Sequence, residues 1–452
     1  MARLKINYTC QSCGYISAKW LGRCPECESW NSLVEEAALP CAAPPVYRHG
    51  KPQAINEIAL PGTARLPTGI GEFDRVLGGG LVEGSLLLLG GDPGIGKSTL
   101  LLDVGMKFSQ KGKKVLYVSG EESAAQTKMR AQRLGRAADS LWIMTETDID
   151  GILAQAEAAA PSLLVIDSIQ TMYSAQLPTA AGSVGQIREC TGKLLRFAKE
   201  KNVAVAIIGH VTKDGAIAGP RLLEHMVDVV LQFEGERVYA FRVLRALKNR
   251  FGTTSETGIF SMEEHGLAEI VNPAGLFLKD RATGGAPGSA ICACMEGTRP
   301  VLVEVQALAA PTPYGMPRRT SVGFDYNRVN MLLAVLEKRL GFEFGVQDAY
   351  VNVVGGFKVN EPAADLAVAA ALVSSLRNQP LDARALLIGE MGLTGEIRRV
   401  SHVARRIKEA ASLGFERFIV PSGGDSRELR AKYGGIVAAS TLREALREIG
   451  IG

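Results

Sequence analysis

This 452-residue sequence lacks a dominant charge: 51 Lys and Arg stand against 47 Asp and Glu, leaving a formal net charge of +4. No basic bulk nominates a polyanion partner, so any such surface has to come from local clustering. Long apolar runs are also missing. The most apolar stretches, Ser85–Leu89 and Val203–Gly209, fall far short of the roughly 18 residues that span a bilayer, and have the length of strands buried on both faces. Met1–Asn7 carries none of the roughly 7–15-residue apolar stretch of a signal peptide, so the expectation is a cytoplasmic protein with no membrane partner. Cysteine is scarce. Four of the eight lie between positions 10 and 27, unlike a disulfide framework spread through a small secreted domain. No internal repeat or low-complexity tract occurs. The 46% apolar content supports ordinary buried cores, and the length allows about three domains at roughly 150 residues each.

Composition shifts divide the chain. Residues 1–34 are dense in Cys, Gly and Trp and too poor in apolar residues to fold on burial alone. Residues 35–56, with Pro40, Pro44, Pro45 and Pro52 among small residues, read as an extended tether. Within residues 57–272, the apolar stretches Ser85–Gly90, Lys114–Ser119, Leu163–Asp167 and Val203–Gly209 alternate with helix-like Lys97–Gln110, Ser123–Leu134 and Val184–Lys199. That alternation predicts an α/β fold: a mostly parallel sheet with helices on both faces. Val227–Phe233 and Arg237–Leu247, split by Glu234-Gly-Glu236, predict a hairpin completing the sheet. Residues 273–452 read as a further α/β region, with strands expected near 300–308 and 349–354 and helices near 362–376 and 441–449.

Cys10-Gln-Ser-Cys13 and Cys24-Pro-Glu-Cys27 are two C-x-x-C turns ten residues apart. Each aims two thiolates at one point, and together they complete a tetrahedral S₄ shell suited to Zn²⁺. A closed Cys₄ shell leaves no position for water, so its role is structural or one of recognition. Redox or disulfide pairing is the alternative. Cys292-Ala-Cys294 lies in an apolar run and reads as alternating strand side chains.

Gly91-Asp92-Pro93-Gly94-Ile95-Gly96-Lys97-Ser98, followed by Thr99, matches G-x-x-x-x-G-K-[ST] between an apolar strand and a helical stretch, the context of a P-loop. Its glycines turn backbone N–H groups inward around ATP phosphates; Lys97 reaches the β/γ oxygens and Ser98 takes Mg²⁺. Leu163–Asp167 is an apolar strand ending in a carboxylate, so Asp167 is the expected second support of Mg²⁺ through water. Glu121 follows the strand Val115–Ser119 at the ligand-binding edge of such sheets and is the expected water-activating base, with Glu122 read as capping the next helix.

Leu66–Leu81, just before the P-loop, resembles the lead-in of RecA-superfamily ATPases, and Lys248-Asn-Arg-Phe-Gly252 matches the signature pentapeptide of the bacterial RadA (Sms) recombination proteins. With the cysteine element and the third region, the resemblance spans essentially the whole chain. It implies a Cys₄ zinc finger (1–34), a linker (35–56), a RecA-like ATPase core (57–272) and a Lon-protease-like domain (273–452, clearest over 348–452). It also implies a homo-oligomer, a hexameric ring, with nucleotide between subunits and Lys248 and Arg250 inserted in trans at the γ-phosphate. A solvated basic turn is the alternative for that pair. The implied activity is DNA-dependent ATP hydrolysis that drives branch migration of strand-exchange intermediates made by RecA recombinase. The implied ligands are single-stranded and branched DNA. The polar stretches Ile169–Ser183 and His210–Arg221 lie where RecA-like proteins place DNA-facing loops, which makes Lys213 and Arg221 candidate phosphate contacts and His210 a candidate γ-phosphate sensor.

Asp348–Gly356 through Gly389–Ile397 resembles the proteolytic domain of Lon, whose Ser nucleophile lies in a Pro-Ser-Ala-Gly context. Here Pro362-Ala-Ala-Asp365 places Ala363 at that position and Lys408 is out of register, so no peptidase activity is expected. Arg398, Arg399, Arg405, Arg406 and Lys408 form a basic cluster, read as a DNA-facing surface or as a solvated helix face. The competing function is a non-motor, ATP-dependent switch or scaffold for a protein partner.

Overall fold

The computed structural model describes residues 5–10, 15–26, 28, 30–38, 65–135, 138–209, 222–235, 241–271, 278, 286–313, 315–423 and 425–451. The chain divides into two compact units, Met1–Val271 and Asn272–Gly452. Among the described residues no helix is long and apolar enough to cross a membrane.

The N-terminal module is an antiparallel sheet of β1 (Lys5–Cys10), β2 (Ile16–Ser17) and β3 (Leu33–Ala38), with β1 in the middle. β3 runs past residue 34, where the sequence predicts the tether, because residues through Ala38 pair along the whole length of β1.

The larger part of the first unit begins with β4 (Arg65–Leu66), α1 (Gly71–Leu77) and β5 (Leu81–Val82). Strands and helices then alternate: β6 (Leu86–Gly91), α2 (Lys97–Gln110), β7 (Val115–Ser119), α3 (Ala124–Arg133), β8 (Leu141–Thr145), α4 (Ile149–Ala159), β9 (Leu163–Asp167), α5 (Val184–Lys201) and β10 (Ala204–Ile208). The short α6 (Leu222–Met226) leads into β11 (Val229–Glu234), β12 (Phe241–Asn249), β13 (Thr257–Glu263) and β14 (Gly266–Glu269). The nine-stranded sheet runs β14-β13-β12-β11-β6-β10-β9-β7-β8. Six strands from β11 to β8 are parallel and β12–β14 form an antiparallel extension. Leu86–Leu89 are fully buried because β6 is central and covered on both faces; each leucine contributes about 1.5–3 kcal/mol of apolar burial. α1 and α2 pack on one face with Leu87 and Leu89, α4 and α5 on the other with Leu86 and Leu88. The predicted parallel core and β11–β12 hairpin are present, joined by β8, α4, β13 and β14, which the periodicity did not mark.

The C-terminal unit holds β15 (Ser289–Glu296), β16 (Arg299–Pro311), β17 (Arg319–Val322), α7 (Tyr326–Val335), β18 (Gln347–Val353) and α8 (Asp365–Arg377). It continues with β19 (Ala385–Leu387), β20 (Glu390–Met391), β21 (Ile397–Arg398), α9 (Val403–Ser412), β22 (Arg417–Pro421), α10 (Asp425–Lys432), β23 (Ile436–Ala439) and α11 (Leu442–Glu448). A four-stranded sheet, β15-β16-β18-β17, and a parallel three-stranded sheet, β19-β22-β23, frame the buried, alanine-rich α8. Cys292 and Cys294 are buried neighbours on one face of β15, as the alternating reading predicts.

Candidate active site

β6 delivers Gly91 to the carboxyl edge of the parallel strands. Gly91 has φ +150°, and a Cβ there would lie 2.5 Å from the carbonyl oxygen of Phe233 on β11. Gly96, at φ +115°, caps α2 under Met262, whose Cε would lie 3.1 Å from an added Cβ. Only glycine fits either place. Lys97 opens α2 almost fully buried, and its Nζ donates to the carbonyls of Gly91 at 2.7 Å and Asp92 at 2.8 Å. Burial pulls the Lys97 pKa down, opposed by the negative charges of Asp167, Asp92 and Glu121. Ser98 and Thr99 follow in the first turn of α2, where free backbone N–H groups and the helix dipole favour an anion.

The two carboxylate-bearing edges are locked together. Ser119 at the end of β7 lies in register with Asp167 at the end of β9, and the Gly120 N–H donates to the Asp167 carbonyl at 2.7 Å. The Tyr117 hydroxyl donates to Asp167 Oδ2 at 2.6 Å. Burial, and next the adjacent Asp167 charge, push the Tyr117 pKa well above its ordinary value, so the hydroxyl stays a donor. Glu121 accepts a hydrogen bond from Ser168 Oγ. Glu122 turns away to an ion pair with Arg130, and Ser123, not Glu122, caps α3 in a capping box with Gln126. Lys97, Asp167 and Glu121 therefore converge, as the sequence predicts. Tyr117 and Ser168 are additions that no motif pointed to.

Lys248 and Arg250 do not join them. Lys248 Nζ donates to the carbonyls of Glu224 at 2.8 Å and Val227 at 2.9 Å, at the end of α6. Burial lowers the Lys248 pKa, with a further push from Arg250. Arg250 Nη1 reaches Asp228 Oδ1 at 3.3 Å. Asp228 is buried, and its Oδ2 also accepts from the Leu86 N–H at 3.1 Å and Lys199 Nζ at 2.7 Å. This cluster sits at the start of β6, the edge opposite the P-loop.

His210, Lys213 and Arg221 lie outside the described residues. The loop 169–183 is anchored at its root: Ile169, Met172 and Ser174 are buried, and Gln186 Nε2 donates to the carbonyls of Ser174, Leu177 and Thr179.

In the N-terminal module Cys10 and Cys24 are buried, and with Leu33 they form its whole core among the described residues. Cys13 and Cys27 lie outside them. Tyr8 and Tyr15 pack against this small cluster, to which thiolates around a metal would add.

In the C-terminal unit Ala363 is buried in an apolar cluster with Ile291, Leu386 and Ile407. The basic cluster needs one correction: Arg406 is fully buried, and its guanidinium donates to both Glu361 oxygens at 2.7 Å and to the Ser401 carbonyl at 3.0 Å. A buried guanidinium demands such partners. Arg398, Arg399, Arg405 and Lys408 remain exposed.

The fold and this site define an α/β P-loop ATPase, preceded by a small three-stranded module. A family model for an AAA domain matches residues 63–216, one for a rubredoxin metal-binding domain residues 8–35, and one for subunit ChlI of Mg-chelatase residues 306–424. DNA repair protein RadA of Bacillus subtilis (strain 168) is 52% identical over 454 residues, covering 99% of each chain. RadA of Listeria monocytogenes is 51% identical over 451 residues, covering 99% of this chain and 98% of its own. Among solved structures, a KaiC-like protein from Pyrococcus horikoshii OT3 covers 46% of this chain and 99% of its own at a TM-score of 0.40 and 22% identity. The chain belongs to the RadA family of DNA repair proteins.

Proposed function

We propose that the chain is a DNA-dependent ATPase that assembles into a hexameric ring, hydrolyses ATP between subunits and drives branch migration of intermediates made by RecA recombinase. The observation that carries this reading is the split of the predicted catalytic set. Lys97, Asp167 and Glu121 gather at one edge of the sheet, and Lys248 and Arg250 stand at the other. The length of β6 between them is about 17 Å, five residue steps at roughly 3.3 Å each. A site needing those cations takes them from a neighbouring copy, so hydrolysis depends on assembly.

In this reading Lys97 exchanges its loop carbonyls for the β/γ-phosphate oxygens, and Glu121 accepts the proton of the attacking water. The donor set of one hydroxyl and one carboxylate fits Mg²⁺; Ser98 and Asp167 would hold it, and when bound it neutralises phosphate charge. Arg250 and Lys248 of the adjoining subunit stabilise charge on the transferring phosphoryl group. Lys213 and Arg221 contact the backbone of single-stranded and branched DNA. No peptidase step belongs to the cycle, since Ala363 has no nucleophilic atom.

The test is ATP turnover with and without single-stranded DNA, combined with the native mass of the nucleotide-bound assembly. Stimulated turnover by a six-chain assembly is expected. DNA-independent turnover by a monomer would instead favour the switch or scaffold. Cys10, Cys13, Cys24 and Cys27 hold Zn²⁺ in this reading. Metal analysis should find about one zinc per chain, lost in Cys24→Ser together with the fold of the ribbon but not ATP binding.

A further inference from the structure

We propose that Tyr117 is a positioning residue for magnesium, fixing the Asp167 carboxylate so that one oxygen alone faces the metal's water shell. The inference rests on the reading of Asp167 as a magnesium support.

Tyr117 is the one aromatic residue in β7, Val-Leu-Tyr-Val-Ser, and only 1% of its surface is exposed. Its ring lies in the same buried core cluster as Leu101, Val104 and Val165. A tyrosine in such a core needs an acceptor for its hydroxyl, and here the acceptor is the carboxylate at the end of β9, at 2.6 Å. An aspartate carboxylate at a strand end has a soft terminal torsion and swings readily. The hydroxyl removes that freedom by holding Oδ2, while the Gly120 N–H fixes the Asp167 backbone carbonyl alongside. Oδ1 is then the oxygen left to meet metal-bound water. A partner that orients a metal-supporting carboxylate in this way typically affects metal affinity or activity by about 10–100-fold.

The ring is held by packing and not by its hydroxyl alone, so Tyr117→Phe should still fold, with a melting temperature lowered by the loss of one buried hydrogen bond. Two readouts decide the matter. Binding of Mn²⁺ together with a non-hydrolysable ATP analogue, followed by electron paramagnetic resonance, should weaken by about tenfold in Tyr117→Phe. The Mg²⁺ concentration that gives half-maximal ATP turnover should rise by a similar factor, with KM for ATP at saturating Mg²⁺ unchanged. Ser168→Ala, which removes a hydroxyl from Glu121 instead, should lower kcat without moving either metal midpoint. A wild-type Mn²⁺ midpoint in Tyr117→Phe would overturn the role of Tyr117. Wild-type metal binding in Asp167→Asn would overturn the reading of Asp167 itself, so the two failures are distinguishable.

Discussion

Lys97→Ala should cut ATP turnover by at least about 100-fold and abolish branch migration. Removal of a single preorganised donor aimed at transition-state charge commonly costs about 10²–10³ in kcat. Lys97 has a second task, because its ammonium ties down the carbonyls of Gly91 and Asp92. Without it those carbonyls point at the site with no cation to balance them, and nucleotide affinity should fall along with kcat. The measurement is steady-state turnover combined with equilibrium binding of a fluorescent ATP analogue. Branch migration at the wild-type rate in this variant would end the motor reading.

Arg250→Ala should lose turnover by about 10³-fold or more, the range of a trans-acting arginine at a phosphoryl group, while the subunit stays folded and assembled. Arg250 is 56% exposed in its side chain, so solvent screens its 3.3 Å contact with the buried Asp228. Asp228 keeps Lys199 and the Leu86 N–H when the guanidinium is gone. Mixing discriminates further. Lys97→Ala and Arg250→Ala subunits are each inactive alone, but in equal mixture about a quarter of head-to-tail interfaces pair an intact P-loop with an intact Arg250. Turnover should reappear on mixing. A mixture as inactive as its components would place Arg250 outside the neighbouring site.

The P-loop strand was legible because its cues are local: four consecutive leucines buried on both faces, then glycines at positions whose backbone tolerates nothing else. β8 and α4 were not. Trp142 on β8 is 44% exposed at a sheet edge, so the strand never becomes a continuous apolar run, and α4 is rich in small residues with few large side chains to set a period. Arg406 illustrates another limit. It sits among four exposed basic residues in sequence, and only the fold reveals Glu361 beneath it. Tyr117 and Asp167 belong to strands far apart in the chain, so their hydrogen bond depends on the β7–β9 register, which no local pattern encodes. Likewise Lys248 and Arg250 were recognisable as a pentapeptide, but their distance from Lys97 became readable only once β6 and β12 had a direction.

Asp228 binds the first N–H of β6 and, through its other oxygen, Arg250. The last residue of that same strand is Gly91. In the proposed ring, one stiff rod of six residues therefore has a phosphate cradle at its far end and, at its near end, the root of the cation offered to the adjacent site. A shift of the cradle along the strand axis would reach that root through backbone alone, with no loop between.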